Sequence, residues 1–205
     1  MSRALALFRE LGDRIQQAHS HEDIGMIFDS EGNYFQALDH DRQALELFRA
    51  AGNQPGLANS LNAVGLDYAH LGDYPRALSH CQDALSLCRE LALRHEEAAT
   101  WDSLGYAHHH LGQHRDATAC YGQSVSLCRE LGNPSGQADA LSHLGDTHYA
   151  NGSPQAAQST WQQALDILDG LHHPDAGKVR AKLDGLAGVS RRGEPEVLAP
   201  QAGSG

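Results

Sequence analysis

The stretch WDSLGYAHHHLGQHRDATACY, residues 101–121, decides the fold. Trp101, Leu104, Gly105 and His108 stand at i, i+3, i+4 and i+7, the spacing of one face of an α-helix. Gly112 follows where such a helix would end, because a left-handed residue terminates a helix at least cost when it carries no Cβ. Beyond Gln113 a second amphipathic run begins, in which the small Ala117 is followed four residues later by the large Tyr121. Two helices joined by a tight turn account for the whole stretch.

Outward from this unit the same arrangement recurs every forty residues. Gly25, Gly65, Gly105 and Gly145 form one series; Gly32, Gly72, Gly112 and Gly152 a second; Ala37, Ala77, Ala117 and Ala157 a third. Three phased series without slippage specify four copies of one supersecondary unit. Ile24, Val64, Leu104 and Leu144 precede the first glycine, and His21, Leu61, Trp101 and Leu141 stand three residues earlier. Phe28, Tyr68, His108 and His148 follow it by three, and His108 is therefore expected in the core. A glycine inside a helix costs about 1 kcal/mol against alanine. Its recurrence argues for a neighbouring helix too close to admit a side chain. After the second glycine come Asn33, Asp73, Gln113 and Ser153; Asp73 and Ser153 suit an N-cap, and Pro154 suits a first turn. The second helices carry Ala44-Leu45, Ala84-Leu85, Ser124-Val125 and Ala164-Leu165, and Arg49, Arg89 and Arg129 complement the dipole near their ends. The first, or A, helices are predicted near 16–31, 57–71, 97–111 and 137–151. The second, or B, helices are predicted near 34–51, 74–91, 114–131 and 154–170.

This pattern resembles the tetratricopeptide repeat, whose motif runs W-x2-L-G-x2-Y and then A-x3-F. Trp101-Asp102-Ser103-Leu104-Gly105 with Ala117 and Tyr121 matches most closely, and the second unit offers Leu61, Val64-Gly65, Tyr68, Ala77 and Cys81. The first unit departs at His21 and Asp41, positions that are usually large and apolar. All units lack the closing proline and have forty residues where the family usually has thirty-four. The resemblance implies an all-α fold, a right-handed superhelix of antiparallel helix pairs that acts as a binding scaffold and not as an enzyme. The forty-residue form is similar to the C-terminal arrays of Streptomyces antibiotic regulatory protein-type and signal-transduction ATPase-type transcription regulators, and also to Pins-type and kinesin-light-chain-like scaffolds. A composition rich in alanine, glycine, leucine and arginine, with lysine only at 178 and 182, fits the bacterial group better.

Four segments are expected. Residues 1–14 match the end of a B helix, Ala4 to Arg9 echoing Ala44 to Arg49, as though a preceding repeat were truncated. Residues 15–173 hold the four repeats, 174–188 a capping helix with Val179, Leu183 and Leu186 on its apolar side, and 189–205 a disordered tail.

The formal charge of −11 repels phosphate backbones, so direct nucleic-acid binding is not expected. No run of eighteen apolar residues exists and the start has no secretory character, which predicts a cytoplasmic protein with no membrane contact. Cys81, Cys88, Cys120 and Cys128 form no C-x-x-C pair and read as reduced thiols, with Cys88 and Cys128 as small core residues. No Ser/His/Asp order, phosphate-binding loop, dinucleotide fingerprint or H-E-x-x-H occurs, so no catalytic residue or cofactor is expected.

By analogy with the family, the A helices line a concave binding groove. Its predicted residues are Glu22, Met26, Asp29, Asn59, Asn62, Leu66, His70, Asp102, Tyr106, His109, His110, Asp139, Asp146 and Tyr149. None is lysine or arginine, which excludes a carboxylate clamp and predicts a basic protein or peptide partner, with Leu66, Tyr106 and Tyr149 as apolar anchors. Two alternatives stand beside this one. The first is a homo-oligomer formed through residues 4–11. The second is a metal-dependent sensor or hydrolase in which His70, His109 and His110 join Asp102 around zinc or nickel.

Overall fold

The computed structural model describes residues 7, 8 and 10–192. Among them are nine helices and no strand: α1 (Arg14–Ser30), α2 (Tyr34–Ala51), α3 (Gln54–His70), α4 (Tyr74–Glu90), α5 (Arg94–His110), α6 (His114–Glu130), α7 (Pro134–Ala150), α8 (Pro154–Gly170) and α9 (Ala176–Arg192). The first eight pair consecutively, α1 on α2 through α7 on α8, and each B helix packs against the next A helix. The result is the all-α solenoid expected from the sequence.

The A helices α3, α5 and α7 start three residues before their predicted positions, and at α3 and α7, though not at α5, side-chain capping explains the difference. Asn53 and Asn133 accept hydrogen bonds from the backbone nitrogens of Gly56 and Gly136 at 2.9 and 3.0 Å, so the glycine three residues on is already helical. Asp13 caps α1 in the same way through the Gln16 nitrogen, at 3.1 Å. Asp73 caps α4 as predicted, whereas Ser153 occupies the N-cap of α8 without a side-chain capping bond.

Every twentieth residue from 12 to 172 has a left-handed backbone. Seven are glycines, including Gly52 and Gly132 between repeats, and the series is completed by Ala92 (φ 55°) and His172 (φ 54°). The same turn therefore joins A to B and B to A.

Within each hairpin the A-helix glycine meets the residue four beyond the B-helix alanine. A Cβ on Gly65 would lie 2.5 Å from Cys81 Sγ, and one on Gly105 would lie 2.7 Å from two ring carbons of Tyr121. Gly25 faces the Asp41 carboxyl and Gly145 the Trp161 indole in the same manner. Larger residues on B thus fill the notch that glycine leaves on A.

The four alanines of the third series are fully buried, as are Phe48, Val64 and Tyr121. The four cysteines are free and buried, and burial pushes the thiols of Cys81 and Cys120 up to about 12 and about 11, so they serve as packing groups. His108 does not join the core. It is half-buried, and Nδ1 pairs with the Gln113 side-chain oxygen at 2.6 Å. Helix α9 lies on α8 with Ala176, Val179 and Leu186 buried. Its backbone stays helical to Arg192, past residue 188 where the sequence suggested an end. The predicted tail from 193 onward, and residues 1–6 and 9 of the predicted helix remnant, lie outside the described residues. No helix among the described residues is long and apolar enough to cross a membrane.

Candidate functional site: the groove along the A helices

Besides the B helices between them, consecutive A helices touch one another, α3 with α5 and α5 with α7. Helices in direct mutual contact lie on the inside of a solenoid's curve, which makes theirs the concave face. Side-chain links bridge successive members. Ser60 donates to Glu22 at 3.1 Å, and His70 Nδ1 pairs with Asp29 at 3.1 Å, joining α1 to α3. The Tyr106 ring meets His70 edge-on at 5.3 Å, joining α3 to α5. His143 Nδ1 pairs with Asp102 at 3.1 Å, and His109 with the Thr147 hydroxyl at 2.9 Å, joining α5 to α7.

These links divide the predicted groove residues into two sets. Glu22, Asp29, His70, Asp102 and His109 are engaged within the chain, and Asp146 receives hydrogen bonds from Lys182 at 2.7 Å and from the Trp161 indole at 3.0 Å. Met26, Asn59, His110, Asp139 and Tyr149 are exposed, with Met26 67% accessible. Asn62, Leu66 and Tyr106 are half-buried. Asn62 lies near the Cys81 thiol, 3.8 Å away, and the Tyr106 ring is tilted against His110.

Three hollows follow the groove. The first, of about 330 Å³ between α1 and α3, is lined by Glu22, Asp23, Asp29, Asp41 and Asp67 with Met26, Asn59 and Leu66, and by no lysine or arginine. The second, of about 250 Å³, is bordered by Asn62, Leu66, Asp102 and Asp139. The third, of about 330 Å³, includes Tyr106, Asp139, His143 and Asp146 together with Lys178 and Lys182 from α9. No groove position in α1, α3, α5 or α7 is basic, but α9 contributes two ammonium groups at the far end. His143 is also drawn toward its charged form there. Burial lowers its pKa, but the neighbouring Asp102, with Asp146 and Asp139, more than offsets this and leaves it raised. Two residues that matter at this end, His143 and Lys182, were not singled out from the sequence. His143 lies in the repeat but occupies no groove position of the family, and Lys182 lies outside the repeat altogether.

The first hollow holds a second feature. Asp41 and Asp67 are 6% and 3% exposed. Burial pushes both carboxyls upward. The charge of Asp41 adds to this at Asp67, and those of Glu22 and Asp29 add to it at Asp41. No donor nitrogen or hydroxyl among the described residues reaches Asp67 Oδ2. The other buried acid is treated differently: Glu97, 7% exposed, lies 3.1 Å from Arg89 and 3.6 Å from Arg94. Burying an unpaired carboxylate costs several kcal/mol, so the acids of the first hollow are there at the expense of stability. Asp41 was visible in the sequence as a departure from the A-x3-F pattern. Asp67 was legible only by setting it beside Ile27, Ala107 and Thr147, its forty-residue equivalents.

A metal cluster of His70, His109, His110 and Asp102 does not form. Asp102 is held by His143, His109 by Thr147, and His110 stacks on Tyr74 at 5.8 Å between ring centres. Among the described residues, the group whose ligand atoms all lie within 4.8 Å of one another is Asp29, Asp67 and His70. A larger hollow, of about 680 Å³, lies off the groove, where Gln17, Asp39, Arg42, Glu46, Arg49 and His80 mix both signs of charge. Nothing in the repeat pattern distinguished it.

A model of the tetratricopeptide repeat matches residues 30–90, 56–130 and 96–170 in overlapping copies. No curated protein matches the sequence. Solved structures show a similar fold. One is a Rap protein complexed with Competence and Sporulation Factor (TM-score 0.79, 17% identity, 87% of this chain and 50% of that one). Another is BtubC (BKLC) from P. vanneervenii (TM-score 0.77, 18% identity, 99% and 94%). A third is a putative kinesin light chain of Podosopora anserina with nearly identical TPR-like repeats (TM-score 0.67, 15% identity, 85% and 87%). The chain spans about half the length of the first of these.

Proposed function

The chain belongs to the tetratricopeptide repeat family, and from that premise we propose that it is a protein-interaction scaffold whose concave groove grips a basic segment of a partner protein. The gripping end is the pair of A helices α1 and α3. One observation carries this reading: five carboxyl side chains line the first hollow, no lysine or arginine lines it with them, and Met26 and Leu66 supply apolar surface beside them. An arginine or lysine side chain entering there gains a charge partner while its aliphatic stem covers methionine and leucine. Lys178 and Lys182 at the other end oppose a uniformly basic ligand and give the groove a direction. The Rap protein's complex with Competence and Sporulation Factor shows that a fold of this kind can hold a separate factor. We further place the array in the cytoplasm, as the sensing part of a bacterial transcription regulator. Its forty-residue period and its preference for arginine over lysine support that placement.

A fluorescently labelled peptide alternating arginine and leucine tests the groove by anisotropy at low and moderate salt. Binding should weaken with salt, and a Glu22→Lys, Asp23→Lys double variant should lose roughly tenfold in affinity. Leu66→Ala should lose several-fold. Affinity indifferent to all three changes refutes the proposal.

A second reading is favoured by a separate observation. Leu7, Leu11 and Ile15, at four-residue spacing, are 52%, 69% and 37% exposed. These exposed apolar side chains, Leu7 and Leu11 before the Gly12 turn and Ile15 after it, suit pairing between copies through the predicted segment 4–11, of which residues 4–6 and 9 lie outside the described residues. Light scattering decides it: a dimer that becomes monomeric in Leu7→Asp, Leu11→Asp supports association, and a monomeric wild type excludes it.

A further inference from the structure

Three acidic side chains in the first two repeats, Asp29, Asp41 and Asp67, depart from all their forty-residue equivalents at one place, beside His70, which only His110 repeats. Asp41 stands where the other repeats have Cys81, Tyr121 and Trp161. Asp67 stands where they have Ile27, Ala107 and Thr147. Beside them are Asp29, equivalent to Ala69, His109 and Tyr149, and His70, equivalent to Ser30, His110 and Ala150. Repeats build their core from equivalent positions, so the hairpin itself requires none of these four. Where a sequence breaks its own structural rule without local compensation, function is the usual reason.

We propose that Asp29, Asp67 and His70 form a binding site for a divalent first-row transition metal ion, Mn²⁺ or Zn²⁺, between α1 and α3. Their donor atoms all lie within 4.8 Å of one another. His70 Nδ1 and Asp29 Oδ1 are 3.1 Å apart, about the separation of two ligands held at roughly 2.0–2.2 Å by one ion. Two carboxylates and one imidazole match manganese or zinc better than calcium, which takes six to eight oxygens. The site has the support that metal ligands need. The His70 ring lies between Tyr34, 4.4 Å away, and Tyr106, 5.3 Å away, which fixes its plane. Behind Asp67 stands Asp41, able to share a hydrogen with it and orient it as an outer partner.

Asp67 points most directly to a ligand. It is 3% exposed, it lines the hollow, and among the described residues no N–H or hydroxyl group reaches its Oδ2. Two other acids shielded from solvent, Glu97 and Asp146, each have a cation within reach, Arg89 and Lys182.

The test uses the full 205-residue chain, stripped with a chelator and titrated with Mn²⁺, with free ion read by electron paramagnetic resonance and Zn²⁺ added as competitor. One saturable Mn²⁺ per chain is expected, displaced by Zn²⁺ and raising the thermal midpoint. Asp29→Asn and His70→Gln, both at sites open enough to tolerate the change, should each weaken binding at least tenfold while circular dichroism stays that of wild type. Asp139→Asn, on the same face, should leave it unchanged. Absence of saturable binding, or equal affinity in wild type and both ligand variants, overturns the proposal. The peptide assay requires no metal, so this site and the basic-segment groove stand or fall separately.

Discussion

Substituting alanine at two glycines of the same hairpin should have different consequences. Gly105 in α5 and Gly122 in α6 are both interior helical positions, so each substitution gains about 1 kcal/mol of helix propensity. At Gly122 a Cβ meets nothing within 4 Å and the gain stands alone. At Gly105 it would lie 2.7, 2.7 and 2.9 Å from three ring carbons of Tyr121, a residue only 1% exposed. Ordinary carbon contacts begin near 3.5 Å, so the ring must retreat by roughly 0.8 Å into packed surroundings. Overpacking of that kind costs about 1–3 kcal/mol. Because the propensity gain is common to both, the difference between the variants isolates the overlap. Gly105→Ala should be less stable than Gly122→Ala by about 1–3 kcal/mol, or some 2–4 °C in thermal midpoint per kcal/mol for a chain of this size. Urea and thermal unfolding followed by circular dichroism measure both. Equal stability of the two variants would mean that the A-helix glycines are not contact positions, and the physical account of the repeat would fail with them.

Ala92→Gly and His172→Gly should each stabilise the chain by up to about 1 kcal/mol, because both residues hold a left-handed turn that glycine adopts without strain; a lower thermal midpoint would contradict this. The raised pKa of His143 means that its pairing with Asp102 contributes stability fully below about pH 6.5, the ordinary histidine value, and loses it as pH rises through the folded value. Wild type should therefore lose more stability between pH 6 and 8 than Asp102→Asn does, and parallel curves would refute the link. Lys182→Ala removes the ammonium that lies 2.7 Å from Asp146, so a basic peptide should bind about two- to fivefold more tightly; weaker binding would show that α9 assists the ligand.

Most of the architecture was legible because it is set by local rules repeated four times. Gly105 and Tyr121 belong to separate phased series, and their contact is the geometric content of the pattern. The starts of α3, α5 and α7 were misplaced because their first turns carry no hydrophobic periodicity; the caps Asn53 and Asn133 mark two of these boundaries, and no side-chain cap marks the third. His108 misled for a different reason. A position that holds Phe28 and Tyr68 was read as apolar, but an imidazole satisfied by Gln113 in the next turn gains more from a partly wet site. The turns between repeats escaped notice because Ala92 interrupts the glycine series.

The site was less legible than the fold because its chemistry arises between repeats, across about forty residues of chain. Position within a repeat placed Asp29, Asp102 and Asp146 on the inner face. It did not show that the histidines or lysine one repeat further on answer each of them: His70, His143 and Lys182. That ladder changes what charge on the groove means. A carboxylate with its counter-charge in the next repeat holds the solenoid's pitch and offers little to a cationic side chain of a peptide. Affinity for a cationic ligand must come from acids the ladder leaves unanswered, and these are concentrated between α1 and α3, around Asp23, Asp41 and Asp67. The array is thus built to be rigid at one end and receptive at the other, and neutralising the carboxylates of the receptive end should affect binding far more than neutralising the same number elsewhere.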